Sequence, residues 1–193
     1  MTHNKFIRNF NQFDIDTDDE EYIFSLLTGH DSTKILNYHG YLSPKLTFKT
    51  KFANNLKNLA EHLNLRLAGI YAFTAHADTA TSIHIDGDET TGSLPWRLCW
   101  YCRGGAGTLE WYSNNLDNQF DKNVGAYVSK ETTTPIFKQK LDMRSAFIRT
   151  NYPHKLDLTG TQADRLTITA TFKPYIEWDE LMEKLDKLTY TNK

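Results

Sequence analysis

Between residues 67 and 172 the sequence is a succession of short segments with the composition of β-strands. The segments are rich in Thr, Ile, Tyr and Trp, and turn signals such as Gly104-Gly105, Asn114-Asn115 and Gly160 separate them. The predicted strands are 67–75, 81–86, 97–103, 107–112, 124–128, 136–140, 144–150, 154–158 and 165–172. Many short strands without intervening helices indicate a β-sandwich or a β-barrel.

Helices are predicted on both sides of this strand region. Thr17 and the acidic residues after it can cap a short amphipathic helix that ends near Gly29, and Ser43-Pro44 can begin a second helix. Apolar residues recur at helical spacing from 48 to 65, and again along one face from 177 to 188. The first third of the chain is therefore predicted to be helical.

The chain has 193 residues, enough for one domain with a hydrophobic core and too few for two of ordinary size. We predict a single domain, 1–193, with a mainly β fold and flanking helices. In this prediction 1–66 is a helical bracing segment, 67–174 is the β core and 175–193 is a C-terminal helix.

Charge and hydropathy narrow the expected partners and location. The net charge is −2, from 22 basic and 24 acidic residues, and no cluster of Lys and Arg stands out, which disfavours tight binding to nucleic acid. No apolar run has the length of a signal peptide or a membrane span. We expect a cytoplasmic protein (in the host cytoplasm if a virus encodes it) without a membrane partner.

Two cysteines, Cys99 and Cys102, stand three positions apart in a predicted strand. Successive side chains of a strand point to opposite faces, so these two thiols should diverge. We expect two ordinary free cysteines rather than a redox or zinc pair.

The segment from Ser82 to Gly87 alternates between polar and apolar residues. As a strand it places His84 and Asp86 on one face and isoleucines on the other, so an imidazole and a carboxylate can chelate one ion. A second triplet, His76-Ala77-Asp78, has the same spacing but no such alternation around it. We favour His84 and Asp86. The second triplet could instead form a polar strand edge, flank the mouth of the same metal site, or cap a neighbouring strand.

Two later residues complete a possible site. Pro153 restricts its own backbone and that of the residue before it, so His154 starts a strand directly after a rigid segment. Arg165 opens an alternating strand with Thr167 on its face, and a buried guanidinium needs an anion. The alternatives are a surface histidine and a rim arginine in an ion pair. Two imidazoles and one carboxylate can hold a divalent iron on one face.

In this order, His84-Ile85-Asp86, Pro153-His154 and Arg165-Leu166-Thr167 resemble the motif of the Fe(II)/2-oxoglutarate-dependent dioxygenases, and in particular the small bacterial and phage-type members. The resemblance covers roughly residues 67–174. It implies a double-stranded β-helix (jelly-roll) core with His84, Asp86 and His154 as iron ligands. It also implies that Arg165 and Thr167 bind the far carboxylate of 2-oxoglutarate.

Two further residues share one face of a predicted strand and are candidates for the same pocket. Tyr101 could donate to a carboxylate of the cosubstrate. Arg97 could meet the keto-acid or an acidic substrate.

The resemblance implies an enzyme that uses Fe(II), 2-oxoglutarate and dioxygen to hydroxylate a substrate, with release of succinate and carbon dioxide. The expected substrate is a small molecule or a side chain of a peptide or protein. One alternative is a jelly-roll protein without catalysis, such as a binding module or a viral structural protein. Another is a cupin-like metalloenzyme that does not use 2-oxoglutarate and could dispense with Arg165.

Overall fold

A computed structural model of the chain describes residues 5–28, 40–42, 50–88, 92–104, 107–122, 126–142, 144–163 and 165–191. Within these ranges the chain forms three helices, α1 (Thr17–Thr28), α2 (Lys51–His62) and α3 (Trp178–Thr191). They confirm the helices predicted from residue 17, between 48 and 65, and after 177. The second predicted helix, at Ser43-Pro44, lies outside the described residues.

The strands pair in two antiparallel sheets. Their bounds are β1 Ile7–Asn9, β2 Gly40–Leu42, β3 Arg66–Ala75, β4 His84–Asp88, β5 Gly92–Ser93, β6 Trp96–Arg103, β7 Thr108–Trp111, β8 Asn118–Asp121, β9 Ala126–Ser129, β10 Phe137–Lys140, β11 Ser145–Arg149, β12 His154–Asp157 and β13 Arg165–Lys173. A six-stranded sheet has the order β1-β11-β6-β13-β3-β2, and a seven-stranded sheet has the order β10-β7-β12-β4-β9-β8 with β5 beside β4. The mainly β jelly-roll fold with flanking helices is confirmed.

The six-stranded sheet buries different residues on its two faces, as β13 shows. The outward-facing residues of the sheet pack with buried residues of α2 and α3 in the larger hydrophobic cluster. On β13 these outward residues are Leu166, Ile168, Ala170 and Phe172. The alternate residues line a cavity between the sheets; they are Arg165, Thr167, Thr169 and Thr171. Because strand side chains alternate, one strand builds both the core and the cavity wall.

A smaller hydrophobic cluster lies between the two sheets and includes residues of β1, β6, β7 and β11. Phe6, just before β1, stacks on Trp111 and Phe137 with ring centroids 5.5 Å apart in both pairs. The rings of Phe6 and Tyr152 form a T-shaped pair with centroids 5.3 Å apart. Aromatic packing therefore closes one part of the space between the sheets.

The prediction that the first third is helical was wrong in two places. β1 pairs with β11 and β2 pairs with β3, so this segment adds a strand to each edge of the six-stranded sheet. A strand of three residues shows too little alternation to be recognised from sequence. β5, with two residues, was missed for the same reason, whereas β8 was missed because three of its four residues are polar.

The start of β4 also differs from the prediction, which placed it at Thr81. Thr81 interacts with Leu156 instead: its N–H donates to the Leu156 carbonyl and its hydroxyl oxygen accepts from the Leu156 N–H, both at 2.9 Å. Because the threonine side chain takes part, the regular ladder begins three residues later, at His84.

Polar contacts tie the N-terminal elements to the rest of the fold. The carboxylate of Asp19 in α1 accepts from the N–H of Phe52 at 2.6 Å, at the N-terminus of α2. Arg144 donates to Glu20 at 3.0 Å and to the carbonyl of Cys102 at 2.9 Å. These contacts connect α1 to α2 and to the end of β6.

None of the helices in the described ranges is long and apolar enough to cross a membrane.

We expect Leu56→Ala to lower the free energy of unfolding by about 2–5 kcal/mol, because Leu56 is fully buried between α2 and the sheet. Its neighbour Lys57 is exposed, so Lys57→Ala should stay within about 0.5 kcal/mol of the original chain. Chemical denaturation of the three proteins measures both values. Equal stabilities would show that the helices contribute little to the core.

Candidate metal centre

Two histidines face each other across the neighbouring strands β4 and β12. His84 and His154 are register partners, and their ring centroids lie 4.5 Å apart. Asp86 follows two positions after His84, so its side chain lies on the same face of β4. One ligand atom from each of these three residues lies within 4.8 Å of the other two. The structure therefore brings the three predicted metal ligands together, and their binding of a metal remains a prediction.

The two imidazoles are oriented in the same way. Nδ1 of His84 lies 2.8 Å from the carbonyl oxygen of Ser82, and Nδ1 of His154 lies 2.9 Å from that of Tyr152. A carbonyl oxygen can only accept, so each Nδ1 carries the proton and donates it. This arrangement presents Nε2 as the nitrogen for a metal, as in metal sites whose histidines are held by backbone carbonyls.

His154 is buried, and burial lowers the pKa of its imidazole from 6.5 to about 4, with the neighbouring His84 acting in the same direction and Asp86 opposing it. The neutral form is therefore stable well into the acidic range. A metal binds the neutral imidazole, so this environment keeps His154 in its ligand form.

Gly87 follows Asp86 within β4. The strand continues to Asp88 and pairs with β5. A Cβ atom on Gly87 would lie 2.4 Å from the carbonyl oxygen of Gly92, so glycine is needed for the close approach of β5.

Arg97 reaches the carboxylate of Asp86 from the opposite sheet. Its Nε lies 2.7 Å from Asp86 Oδ2, while Asp86 Oδ1 lies 3.6 Å from Nε2 of His84. The guanidinium also lies over the rings of Phe73 and Tyr71, at 5.4 Å and 5.8 Å. The prediction that Arg97 meets a keto-acid or an acidic substrate did not foresee this contact with Asp86.

Arg165 lies deep in the same cavity and is 2% exposed. Its guanidinium carbon lies 4.3 Å from the ring centre of Tyr101, and its Nε donates to the Thr167 hydroxyl at 3.3 Å. Burial lowers the pKa of Arg165, and an arginine keeps its charge even so. Three of the four residues predicted to bind 2-oxoglutarate, Arg165, Thr167 and Tyr101, thus lie side by side.

The candidate metal ligands and the residues around Arg165 line one cavity, which has a volume of about 500 Å³. The seven-stranded sheet contributes His84, Asp86 and His154 to its wall, and the six-stranded sheet contributes Arg97, Tyr101, Arg165 and Thr167. All seven residues singled out from the sequence therefore line one space. Cavities of this size are typical of small-ligand sites.

Sequence reasoning did not assign a role to Thr169, Phe73 or Tyr71, which also line the cavity. The hydroxyl of Thr169 and that of Tyr101 are both buried, and neither has a hydrogen-bond partner within the described part of the chain. Alternation along β13 already placed Thr169 on the face of Arg165, and that signal could have identified it. Alternation along β3 likewise places Phe73 and Tyr71 on one face of that strand.

The second triplet serves a turn. Asp78 has a positive φ of 54°, and its carboxylate accepts from the N–H of Gly160 at 2.8 Å. The carbonyl of His76 accepts from the Thr79 hydroxyl at 2.6 Å. Among the described residues, the group that could hold a metal ion is His84, Asp86 and His154. These contacts hold a turn after β3, a role that differs from the three expected for the second triplet.

The two cysteines point to opposite faces of β6, as predicted. Cys99 belongs to the cluster between the sheets, and Cys102 packs against the outer cluster. Both are free thiols, and burial raises the pKa of each to about 12. They are therefore unreactive protonated thiols at neutral pH.

Comparison of sequences finds no protein-family profile and no curated protein that matches this chain. Comparison of folds finds similar solved structures. EvdMO1 superposes with a TM-score of 0.53 and 16% identity over 86% of this chain. The match covers 46% of EvdMO1, so this chain spans about half of that protein's length.

HygX from Streptomyces hygroscopicus superposes with a TM-score of 0.50 in two structures. One has nickel and 2-oxoglutarate bound, with 12% identity over 85% of this chain and 82% of HygX. The other has iron bound, with 14% identity over 85% of this chain and 81% of HygX. At these identities the comparisons establish the shared fold.

We expect the metal-free protein to lose stability as the pH falls from about 6.5 to about 4. In this window unfolded His154 binds a proton and the folded protein does not, because burial lowers its pKa to about 4, so acid favours unfolding. The full effect is on the order of 3 kcal/mol. Chemical denaturation of the metal-free protein at a series of pH values measures it.

The matched variants are His154→Gln and His62→Gln. His62 is an exposed histidine at the end of α2, so its replacement controls for the loss of an imidazole outside the cavity. His154→Gln should reduce the pH dependence of stability. An equal slope in all three proteins would contradict the assignment to His154.

Proposed function

We propose that this chain is an Fe(II)- and 2-oxoglutarate-dependent oxygenase that hydroxylates its substrate and releases succinate and carbon dioxide. The observation that carries the proposal is the set of side chains that line one cavity. Two oriented imidazoles and a carboxylate lie within 4.8 Å of one another, and the buried Arg165 lines the same space. The fold shared with HygX, which has been solved with iron and with nickel and 2-oxoglutarate, supports it.

The donor set fits iron. Two imidazole nitrogens and one carboxylate oxygen on one side of an ion form the ligand set of non-haem Fe(II) oxygenases and leave further positions open. A structural zinc site normally has four protein ligands, and the described residues offer three. Bound iron would supply the activation of dioxygen, while His84, Asp86 and His154 would fix its place.

The residues around Arg165 fit a dicarboxylate. A guanidinium can bind a carboxylate with two parallel hydrogen bonds, and the Thr167 hydroxyl lies beside it. The buried hydroxyl of Tyr101, without a hydrogen-bond partner in the described part of the chain, could donate to the same ligand. Leaving such a group unsatisfied costs about 1–3 kcal/mol, which a bound carboxylate would recover.

The substrate that we propose is a small molecule or one side chain of a peptide or protein. A cavity of about 500 Å³ would have to hold both 2-oxoglutarate and the reacting group. Its walls carry apolar side chains such as Leu94, Leu109 and Ile148 beside the polar residues named above. Apolar walls would limit the access of water to the reacting atoms.

The first test is anaerobic titration of the protein with Fe(II) and 2-oxoglutarate. We expect the weak visible charge-transfer band of the chelate in the original chain and its loss in His84→Ala, because one of three ligands is removed. His76→Ala is the matched control, since His76 belongs to the second His-x-Asp triplet, and it should retain the band. Succinate formation in air should follow the same pattern.

Absence of the band and of succinate in the original chain would contradict the proposal. Retention of the band in His84→Ala together with its loss in His76→Ala would move the metal site to the second triplet.

The second test concerns the cosubstrate. We expect Arg165→Ala to weaken binding of 2-oxoglutarate roughly 10- to 150-fold, the equivalent of about 1.5–3 kcal/mol for hydrogen bonds to a charged group. Binding of Fe(II) alone should be unchanged, since Arg165 is not among the three grouped ligands. The charge-transfer band, followed against 2-oxoglutarate concentration, measures the affinity.

Arg66→Ala is the control, because Arg66 is an exposed arginine of the neighbouring strand β3. If Arg165→Ala retained full activity, the result would favour a metalloenzyme that does not use 2-oxoglutarate.

A further inference from the structure

Arg97 links the two sheets at the candidate metal centre. On β6 its neighbours Trp96 and Leu98 are buried in the outer cluster, so alternation directs Arg97 to the cavity. Asp86 lies on β4, in the other sheet. The Arg97–Asp86 contact therefore crosses the space between the sheets, and both side chains are largely withdrawn from solvent, at 15% and 14% exposure.

The two oxygens of the Asp86 carboxylate have different neighbours. Oδ2 lies 2.7 Å from Arg97 Nε, and Oδ1 lies 3.6 Å from His84 Nε2. The Nε–H bond does not point at the oxygen well enough to form a hydrogen bond. The interaction is thus an ion pair, which acts on Oδ2 and leaves Oδ1 as the oxygen turned toward the histidine.

The guanidinium is held in place by aromatic faces as well as by charge. Phe73 and Tyr71 of β3 stack on each other with ring centroids 6.4 Å apart, and Arg97 lies over both rings. A planar guanidinium suits this environment better than the compact ammonium of lysine. Arg97 therefore has a preferred position even before a ligand arrives.

We propose that Arg97 is a positioning residue that makes Asp86 a one-oxygen metal ligand. A carboxylate can bind a metal through one oxygen or through both. With Oδ2 engaged by Arg97, a metal would be held through Oδ1, and Oδ2 would not be available to it as a second ligand oxygen. This inference rests on the metal site of the proposed function and adds a residue that orients one of its ligands.

The test uses Co(II), whose visible spectrum reports coordination, with no cosubstrate or substrate present. The proteins are the original chain, Arg97→Gln, Arg97→Lys and a matched control, Arg8→Gln. Arg8 forms an ion pair with Asp186 at the same distance, 2.7 Å, but away from the cavity. Titration gives the dissociation constant and the spectrum of each, and thermal unfolding without metal reports on folding.

We expect Arg97→Gln to weaken Co(II) binding about 10- to 100-fold, the usual effect of removing a group that orients a metal ligand, and to change the visible spectrum. Arg97→Lys keeps the charge, so it should restore the original spectrum and part of the affinity. Arg8→Gln should bind Co(II) as the original chain does. Should Arg97→Gln not fold, Phe73→Leu replaces it, with an expected loss of about 2- to 5-fold from one weakened cation–π contact.

Two results would overturn the inference alone: unchanged affinity and spectrum in Arg97→Gln, or a loss of affinity with an unchanged spectrum, which a merely structural role would produce. If the original chain itself did not bind Co(II), the metal site would fail and the inference with it. The two failures are therefore distinguishable in one experiment.

Discussion

The rest of the structure depends on where the larger hydrophobic core lies. Helices α2 and α3 pack on the outer face of the six-stranded sheet, and that face carries large buried side chains such as Trp100 and Phe172. Burial of one such side chain contributes roughly 1.5–3 kcal/mol. Because the sheet obtains this burial on its outside, its inner face can carry arginines and threonines that contribute little apolar burial. Charged and hydroxyl side chains can therefore line a cavity in the middle of the fold.

Alternation along single strands could be read from the sequence, and it predicted which residues face the cavity. On β13 it placed Arg165 and Thr167 together, and on β4 it placed His84 with Asp86, as the structure has them. Local pattern could not show that His84 and His154 are register partners, since that depends on pairing between distant segments. It also predicted the face of Arg97 without indicating that Asp86 would be the anion it meets.

The two sheets divide the groups of the cavity between them. The candidate metal ligands come from the seven-stranded sheet, and the cations Arg97 and Arg165 come from the six-stranded sheet. Under the proposed function, iron and 2-oxoglutarate would therefore be held from opposite walls. The ion pair between Arg97 and Asp86 joins these walls at the candidate metal centre.

The orientation of both imidazoles has a consequence for how such a site can diverge in evolution. The groups that receive the Nδ1 protons are main-chain carbonyls, at Ser82 and Tyr152, each two residues before its histidine. A carbonyl is present whatever residue occupies the position, so mutation there need not disturb the ring. A lineage could exchange these neighbours freely and keep its histidines aimed at one point, provided that the strands keep their path.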